Sequence, residues 1–459
     1  MKYGTDQKMR KKSFMTRAGT VIAAVAFFAG LFLQDPASAQ ESVWLGVSRT
    51  GSQAIEVAVP DMQAAGDDKE GLGKEAARIV NFDLKATGYF KMVDNQQLMK
   101  QALEKDLKAA NGIAFDEWRT LASNFVVKGN IGYKPGGAMF LDTRVYDVQT
   151  KKLYFSVIYT ATKNLFRQMV HQFSDDMLSR LTGEQGVAKT RMAILSKAGG
   201  RKELFVMDYD GAAPTQITYD KSLVLFPHWN PKRDIILFTT YKFRNPDLYA
   251  VDIKNGARIP ISRRLGLNSA GEWSPDGGKI VFSISKAGHS NIFICNADGS
   301  GLKQLTSANA IATSPSFSPD GGRIAFTSDK TGAPQIYVMN TGGGEERRIT
   351  WSGSYNDEAE WSPKGDYIAY SSLTGPNFKI GLVNVNESRD ARIITSGAGS
   401  DESPSWSPNG RNIAFSSSRS GSKQIYIINP DGSNVLQVTN MAGGAYSPSW
   451  GTAPAIERK

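Results

Sequence analysis

The sequence predicts a small α/β domain followed by an all-β six-bladed β-propeller, and three observations carry that prediction. An aromatic residue recurs at Trp229, Trp273, Phe317, Trp361, Trp406 and Trp450, at intervals of 44, 44, 44, 45 and 44 residues. A turn signal such as "SPDG", "SPKG" or "SPNG" follows most of these aromatics. Residues 54–183 lack the period and mix helical with strand-like patterns. A fixed period in the low forties with β-rich content is that of propeller blades.

The first 39 residues read as a segment to be removed. Lys8, Arg10, Lys11, Lys12 and Arg17 make a basic start, "AGTVIAAVAFFAGLFL" is an apolar run, and "ASA" at 37–39 offers small residues for cleavage. This is the layout of a secretory signal without a twin-arginine pair. An uncleaved anchor is the alternative, because the run is nearly long enough to span a bilayer. Cleavage and export imply a periplasmic or secreted protein. Residues 40–53, "ESVWLGVSRTGSQ" after Gln40, are short, polar and Gly/Ser-bearing, so a flexible tail is expected.

Residues 54–186 are expected to form the α/β domain. "AIEVAVPDM", "YFKMVD" and "NFVVKGNIG" read as strands, and "AMFLDTRVYDVQTKKLYFSVIYT" reads as a hairpin. "GLGKEAARIVNFDLKATG" places Leu72, Ala76, Ile79, Val80 and Leu84 on one helical stripe. A second helix carries Leu165, Met169, Phe173, Met177 and Leu181, with Gly183 where a C-capping glycine belongs.

Residues 187–459 are expected to form the propeller. Each period runs from a short segment ending on the aromatic, through a type I turn, to a β-rich run such as "IAFTS". A third strand ("QIYVMN") and a fourth ("RRIT") complete a four-stranded blade. The runs are almost continuously apolar, as in sheets packed on both faces. The aromatic then reads as a wedge between blades, with a binding platform as the alternative. Residues 191–218 carry three strand signals without a preceding aromatic, and "AYSPSW" at 445–450 supplies the missing one. Pairing the two closes the ring and removes its open edges.

Chemistry is sparse. A serine hydrolase needs a Gly-x-Ser-x-Gly elbow, which is missing, and only nine residues follow Trp450. "DYDG" at 208–211 fails as a calcium loop, because Ala212 and Tyr219 stand where oxygen ligands belong. No His/Cys set has zinc spacing, and the one cysteine, Cys295, sits in an apolar run. The charge of +10 at pH 7 includes the basic start, and beyond residue 39 the Lys and Arg residues are scattered with no comparable run, which argues against nucleic acid. No enzyme activity and no cofactor are expected. One constellation stands out: Glu272, Asp357, Glu358, Glu360, Asp401 and Glu402 all lie where the chain runs into the innermost strands. The ring would gather them at one mouth of the channel, either as solvated loop charge or as an electronegative docking site.

On these features the chain resembles the TolB family, periplasmic components of the Tol–Pal system. The signal, the short tail, the α/β domain, the "WSPDG" repeats, "RITWSGSYNDEAEWSPKG" and "RMAILS…ELFVMDYDG" carry the resemblance over essentially the whole chain. It implies a non-enzymatic adaptor that binds the lipoprotein Pal at the propeller mouth and TolA through the mature N-terminus. It further implies support of outer-membrane integrity and of constriction at division, and in some species import of colicins. By position, the resemblance assigns the Pal-facing set to Thr313 and Ser316, with Glu272, Glu358, Glu360, Asp401 and Glu402 nearby. Leu267 stands where some members place a histidine. The TolA segment would be residues 40–52, with Glu41, Val43, Trp44 and Leu45 as contacts. A periplasmic propeller hydrolase or ligand-binding protein is the alternative.

Overall fold

The structure, a computed structural model, describes residues 54–65, 70–307 and 309–452. The signal segment and the tail with Glu41, Val43, Trp44 and Leu45 lie outside the described residues.

The N-terminal domain is built on one mixed sheet, in the order Phe90–Met92, Ile55–Ala58, Phe125–Tyr133, Met139–Asp147, Lys152–Ala161. The first two pairings are parallel and the last two antiparallel. Helices α1 (Leu72–Ala86) and α4 (Phe166–Thr182) cover one face. Most of the predicted stripes are buried: Ala76, Ile79, Val80 and Leu84 pack with Met169, Phe173, Met177 and Leu181, whereas Leu72 is partly buried and Leu165 is exposed in the 3-10 turn Lys163–Leu165 that precedes α4. Gly183 ends α4 at φ 77°, a left-handed conformation that glycine adopts without a Cβ penalty, and its N–H donates to Ser179 O.

Two helices on the other face are not foreseen by the sequence reading. They are α2 (Gln96–Asp106) and α3 (Phe115–Thr120). α2 buries only Met99, Ala102 and Asp106, too narrow a set for a clear periodic signal. It depends on polar contacts instead. The Asn95 side chain caps it by accepting from Leu98 N–H, and the buried Asp106 carboxylate accepts from Trp118 Nε1 at 3.1 Å, Ala114 N–H at 2.6 Å and Lys128 Nζ at 3.1 Å.

The remainder is a ring of six antiparallel four-stranded sheets. Blade 1 takes its innermost strand, Tyr446–Trp450, from the C-terminal end and pairs it with Arg191–Ala198. Blades 2 to 6 begin at Val224–Trp229, Leu267–Trp273, Ala312–Phe317, Asn356–Trp361 and Asp401–Trp406. All six recurring aromatics are buried, each between its own blade and the preceding one. Trp229 packs on Ala193 and Leu195 of blade 1, Trp406 on Ala369 and Leu382 of blade 5, and Trp450 on Ala414 and Ile427 of blade 6. The wedge reading therefore holds. The turn after the aromatic closes as expected, with Gly277 N–H on Ser274 O at 2.7 Å and Asp276 accepting from Ser274 Oγ and Gly278 N–H.

The N-terminal domain sits against the turns of blades 1 and 6. Asn412 Nδ2 donates to Ala86 O and Asn434 Nδ2 to Lys85 O, at the end of α1. Arg411 pairs with Glu184. Arg167 on α4 reaches Glu75 of α1 and both Asp208 and Asp210 of blade 1. Beneath it Asp83 accepts from Tyr209 OH at 2.7 Å and contacts His171 Nδ1 at 2.8 Å. Both partners of this buried set are satisfied, so it fixes the domains' relative placement.

Closure makes a direct prediction. Trp450 stacks on Tyr209 and its indole N–H donates to Thr190 Oγ1 at 2.8 Å. Trp450→Ala should cost about 3–5 kcal/mol as a large-to-small core change, and truncation before Ala445 should cost more. Thermal unfolding of both variants checks this; a truncated chain that melts like the full one contradicts closure.

Candidate functional site

The site is the central channel, lined by three equivalent positions of the innermost strands, except that blade 4 contributes only Ser314 and Pro315. The first is a bulge: Phe226, Ala270, Ser314, Glu358, Ser403 and Ser447 have φ between 44° and 56°, each at a register shift in its strand. Non-glycine residues are rare there, and six equivalent instances are a designed feature. The second position is Pro227, Gly271, Pro315, Ala359, Pro404 and Pro448. Proline is tolerated because the innermost strand is an edge with no neighbour toward the channel. These prolines, within a strand-like run, are the signal that the sequence reading passed over.

The third position is His228, Glu272, Ser316, Glu360, Ser405 and Ser449, directly before the wedge aromatic. At four junctions its side chain accepts the backbone N–H of the next blade's aromatic. Ser449 takes Trp229, Glu272 takes Phe317, Ser316 takes Trp361 and Ser405 takes Trp450, at 2.9–3.0 Å. His228 and Glu360 form no such bond among the described residues. They face Glu272 instead, and the donor atoms of the three lie within 4.8 Å of one another. His228 Nε2 is 3.8 Å from Glu272 Oε2.

Burial governs protonation here. It pushes Glu360 up to about 8 and His228 down to about 4. Glu272 is raised well above the carboxylate range by burial and by Glu360 beside it. Burial thus favours the neutral imidazole and the protonated forms of the two carboxyls. The trio has the donor set for a divalent cation, whose binding would release protons. The surrounding cavity has a volume of about 100 Å³ and is lined by all six inner strands.

The sequence-selected residues divide into three groups. Glu272, Glu358 and Glu360 do converge on the channel. Glu358 is held in the wall, accepting from Ser371 Oγ, Ser403 N–H and Ser403 Oγ, and burial raises its carboxyl. Thr313 is half-buried and pairs with Thr327 one step above the bulge. Glu402, also half-buried, is paired with Lys423. Ser316 and Asp401 are corrections to the expectation of a surface contact. Ser316 is buried and latched to Trp361. Asp401 is fully buried and neutralised by Lys379 and Arg419, with Ser417 Oγ donating to it at 2.6 Å. Among the described residues these acids form no exposed electronegative rim, because Glu272, Glu358 and Glu360 are turned into the channel wall and Asp401 and Glu402 are paired with Lys379, Arg419 and Lys423.

A family model described as the TolB amino-terminal domain matches residues 44–154, and one described as the TolB beta propeller domain matches residues 178–454. The chain is 31% identical over 248 residues to the Tol-Pal system protein TolB of Bordetella parapertussis, covering 54% of this chain and 53% of that one. It is 32% identical over 194 residues to the protein of that name from Methylobacillus flagellatus, covering 42% and 44%. The chain spans about half the length of the curated relatives it matches. The crystal structure of TolB from Acinetobacter baumannii superposes with a TM-score of 0.74 at 27% identity, covering 88% of this chain and 97% of that one.

The channel carboxyls set a pH dependence. A carboxyl whose folded-state pKa is raised gives stability that is complete below its unfolded value and lost as pH rises through the folded one. For Glu360 that window runs from about 4.5 to about 8. Glu360→Gln should therefore flatten the fall in Tm between pH 5 and 8.5, with a gain on the order of 2–4 °C at the upper end. Parallel Tm–pH curves for the two proteins would contradict the assignment.

Proposed function

The chain belongs to the TolB family, and on that premise we propose that it is a periplasmic protein–protein adaptor of the Tol–Pal system, without catalytic activity. It docks the lipoprotein Pal at the channel mouth and TolA through residues 40–52, and so supports outer-membrane integrity and constriction during division. The observation that carries this reading is the placement of the α/β domain. Its contacts with the propeller fall on turns 407–412, 429–434 and 208–212, on the side opposite the bulged strand starts. Among the described residues the α/β domain leaves the mouth uncovered, which suits docking of a partner there.

An adaptor reading also fits the chemistry of the channel. Burial favours the protonated forms of Glu272 and Glu360, and Glu358 is taken up by hydrogen bonds from Ser371 Oγ, Ser403 Oγ and Ser403 N–H. Binding rather than turnover is what such a lining offers.

Deleting residues 40–52 should abolish TolA binding in a pull-down while Pal binding and the melting temperature stay as in the full chain. Retained TolA binding would move that site elsewhere, and failure of the intact protein to capture Pal would retire the mouth as its dock.

A further inference from the structure

The exposed charge around the mouth has one sign. Two sets of loops border it: those joining the second and third strands of each blade, and those leading from one blade into the next. In these loops and at the strand ends that flank them Lys197, Arg201, Lys221, Arg244, Arg264 and Lys286 are exposed, and none has a carboxylate within ion-pair distance among the described residues. Lys242 and Arg263 add to them, loosely paired with Asp220 at 3.5 Å and Asp247 at 3.7 Å. No aspartate or glutamate of the same described loops is exposed. Asp220 is buried under Arg258 and Thr240, and Asp329 accepts from Ile311 N–H.

The distribution is also lopsided. The six unpaired cations all lie on blades 1 to 3, whereas the mouth loops of blade 5, "TGPN" at 374–377 and "SGAGS" at 396–400, are uncharged. On the opposite side of the propeller the signs alternate, as in Arg191 and Lys254 on Asp234. Exposed apolar side chains interleave with the arc: Tyr219, Phe243 and Leu265, the last 78% exposed. Toward blade 6 the crowding is close. Lys202 lies over the Tyr446 ring at 4.3 Å, and burial, with Lys423 and Lys197 beside it, holds its ammonium below the usual lysine range.

Like charges gathered without counter-ions repel one another and destabilise the free protein, and an acidic partner relieves that repulsion. The arc borders a concave mouth, and exposed aromatic and aliphatic anchors among charged neighbours are the composition of a protein–protein contact. We propose that the arc over blades 1 to 3 docks an acidic protein surface, so that the partner received at this mouth meets it off-axis through aspartate and glutamate side chains. This rests on the reading of the mouth as the dock for the lipoprotein, and it reverses the sign of charge that the sequence suggested for the docking face.

The test compares association of the soluble domain of the same organism's Pal-like lipoprotein with three proteins by surface plasmon resonance, at low and high salt. These are the unaltered chain, the triple variant Arg244→Glu, Arg264→Glu and Lys286→Glu, and the triple variant Lys232→Glu, Arg233→Glu and Lys279→Glu on the opposite face. The arc variant should lose about tenfold or more in on-rate at low salt, with the difference shrinking as salt screens it. The opposite-face variant should associate like the unaltered chain, and all three should melt alike. Equal association by the arc variant and the unaltered chain overturns the arc while leaving the dock in place. Equal losses from both triples overturn it as well, because bulk charge then suffices. An unaltered chain that does not bind the domain retires the dock and this inference together. In parallel, vesicles of phosphatidylcholine with one-third phosphatidylglycerol should not retain the chain; retention that the arc substitutions abolish would assign the arc to an anionic membrane and overturn the protein partner.

Discussion

The fold depends on the pairing of Tyr446–Trp450 with Arg191–Ala198. Without it, blade 1 lacks its innermost strand and the ring has two free edges. The constraint reaches further than one hydrogen-bonded ladder. Ser449, on the closing strand, accepts the N–H of Trp229 in blade 2, and Ser405 in blade 6 accepts the N–H of Trp450. The closing strand is thus tied to both neighbours as well as to its own blade. It reaches the N-terminal domain too, since Trp450 stacks on Tyr209, whose hydroxyl donates to Asp83 of α1. Loop-closure entropy over the propeller's length is high, and these contacts offset it only when formed together.

The bulges convert closure into a chemical environment. An inner strand without one would run on in strict alternation, sending every second side chain into the channel. The left-handed residue breaks that alternation and rotates the third position onto the next blade. Serine there satisfies a backbone donor and leaves the channel narrow. Histidine and glutamate at the same position, in blades 2 and 5, leave the donor and meet across the axis. Burial then favours the protonated carboxyls of Glu360 and Glu272, and two carboxylates this close in a low dielectric resist ionising together.

Much of this was legible in the sequence, for reasons that differ by element. The aromatic period, the "SPDG" turns and the split blade are one-dimensional signals of a repeated unit, and they determined blade number and closure. Helices α1 and α4 were legible because each shows one broad apolar stripe. Helix α2 was not, because its burial rests on a satisfied aspartate, which no hydrophobic pattern records. The acids near the mouth were found but misdirected. Whether Asp401 faces solvent or the blade interior depends on Lys379 and Arg419, distant in sequence and beside it only in the folded sheet. The basic loops escaped notice because each contributes one or two cations, and only the topology sets them side by side.

The claim that closure is part of the cooperative core is tested most directly by native-state hydrogen exchange at the amides of Tyr446, Ser447, Ser449 and Trp450. The account predicts that they exchange only through global unfolding, with the same protection as Arg191–Ala198 opposite them. Exchange of 446–450 through a separate opening of lower free energy, with blades 2 to 5 still protected, would contradict it.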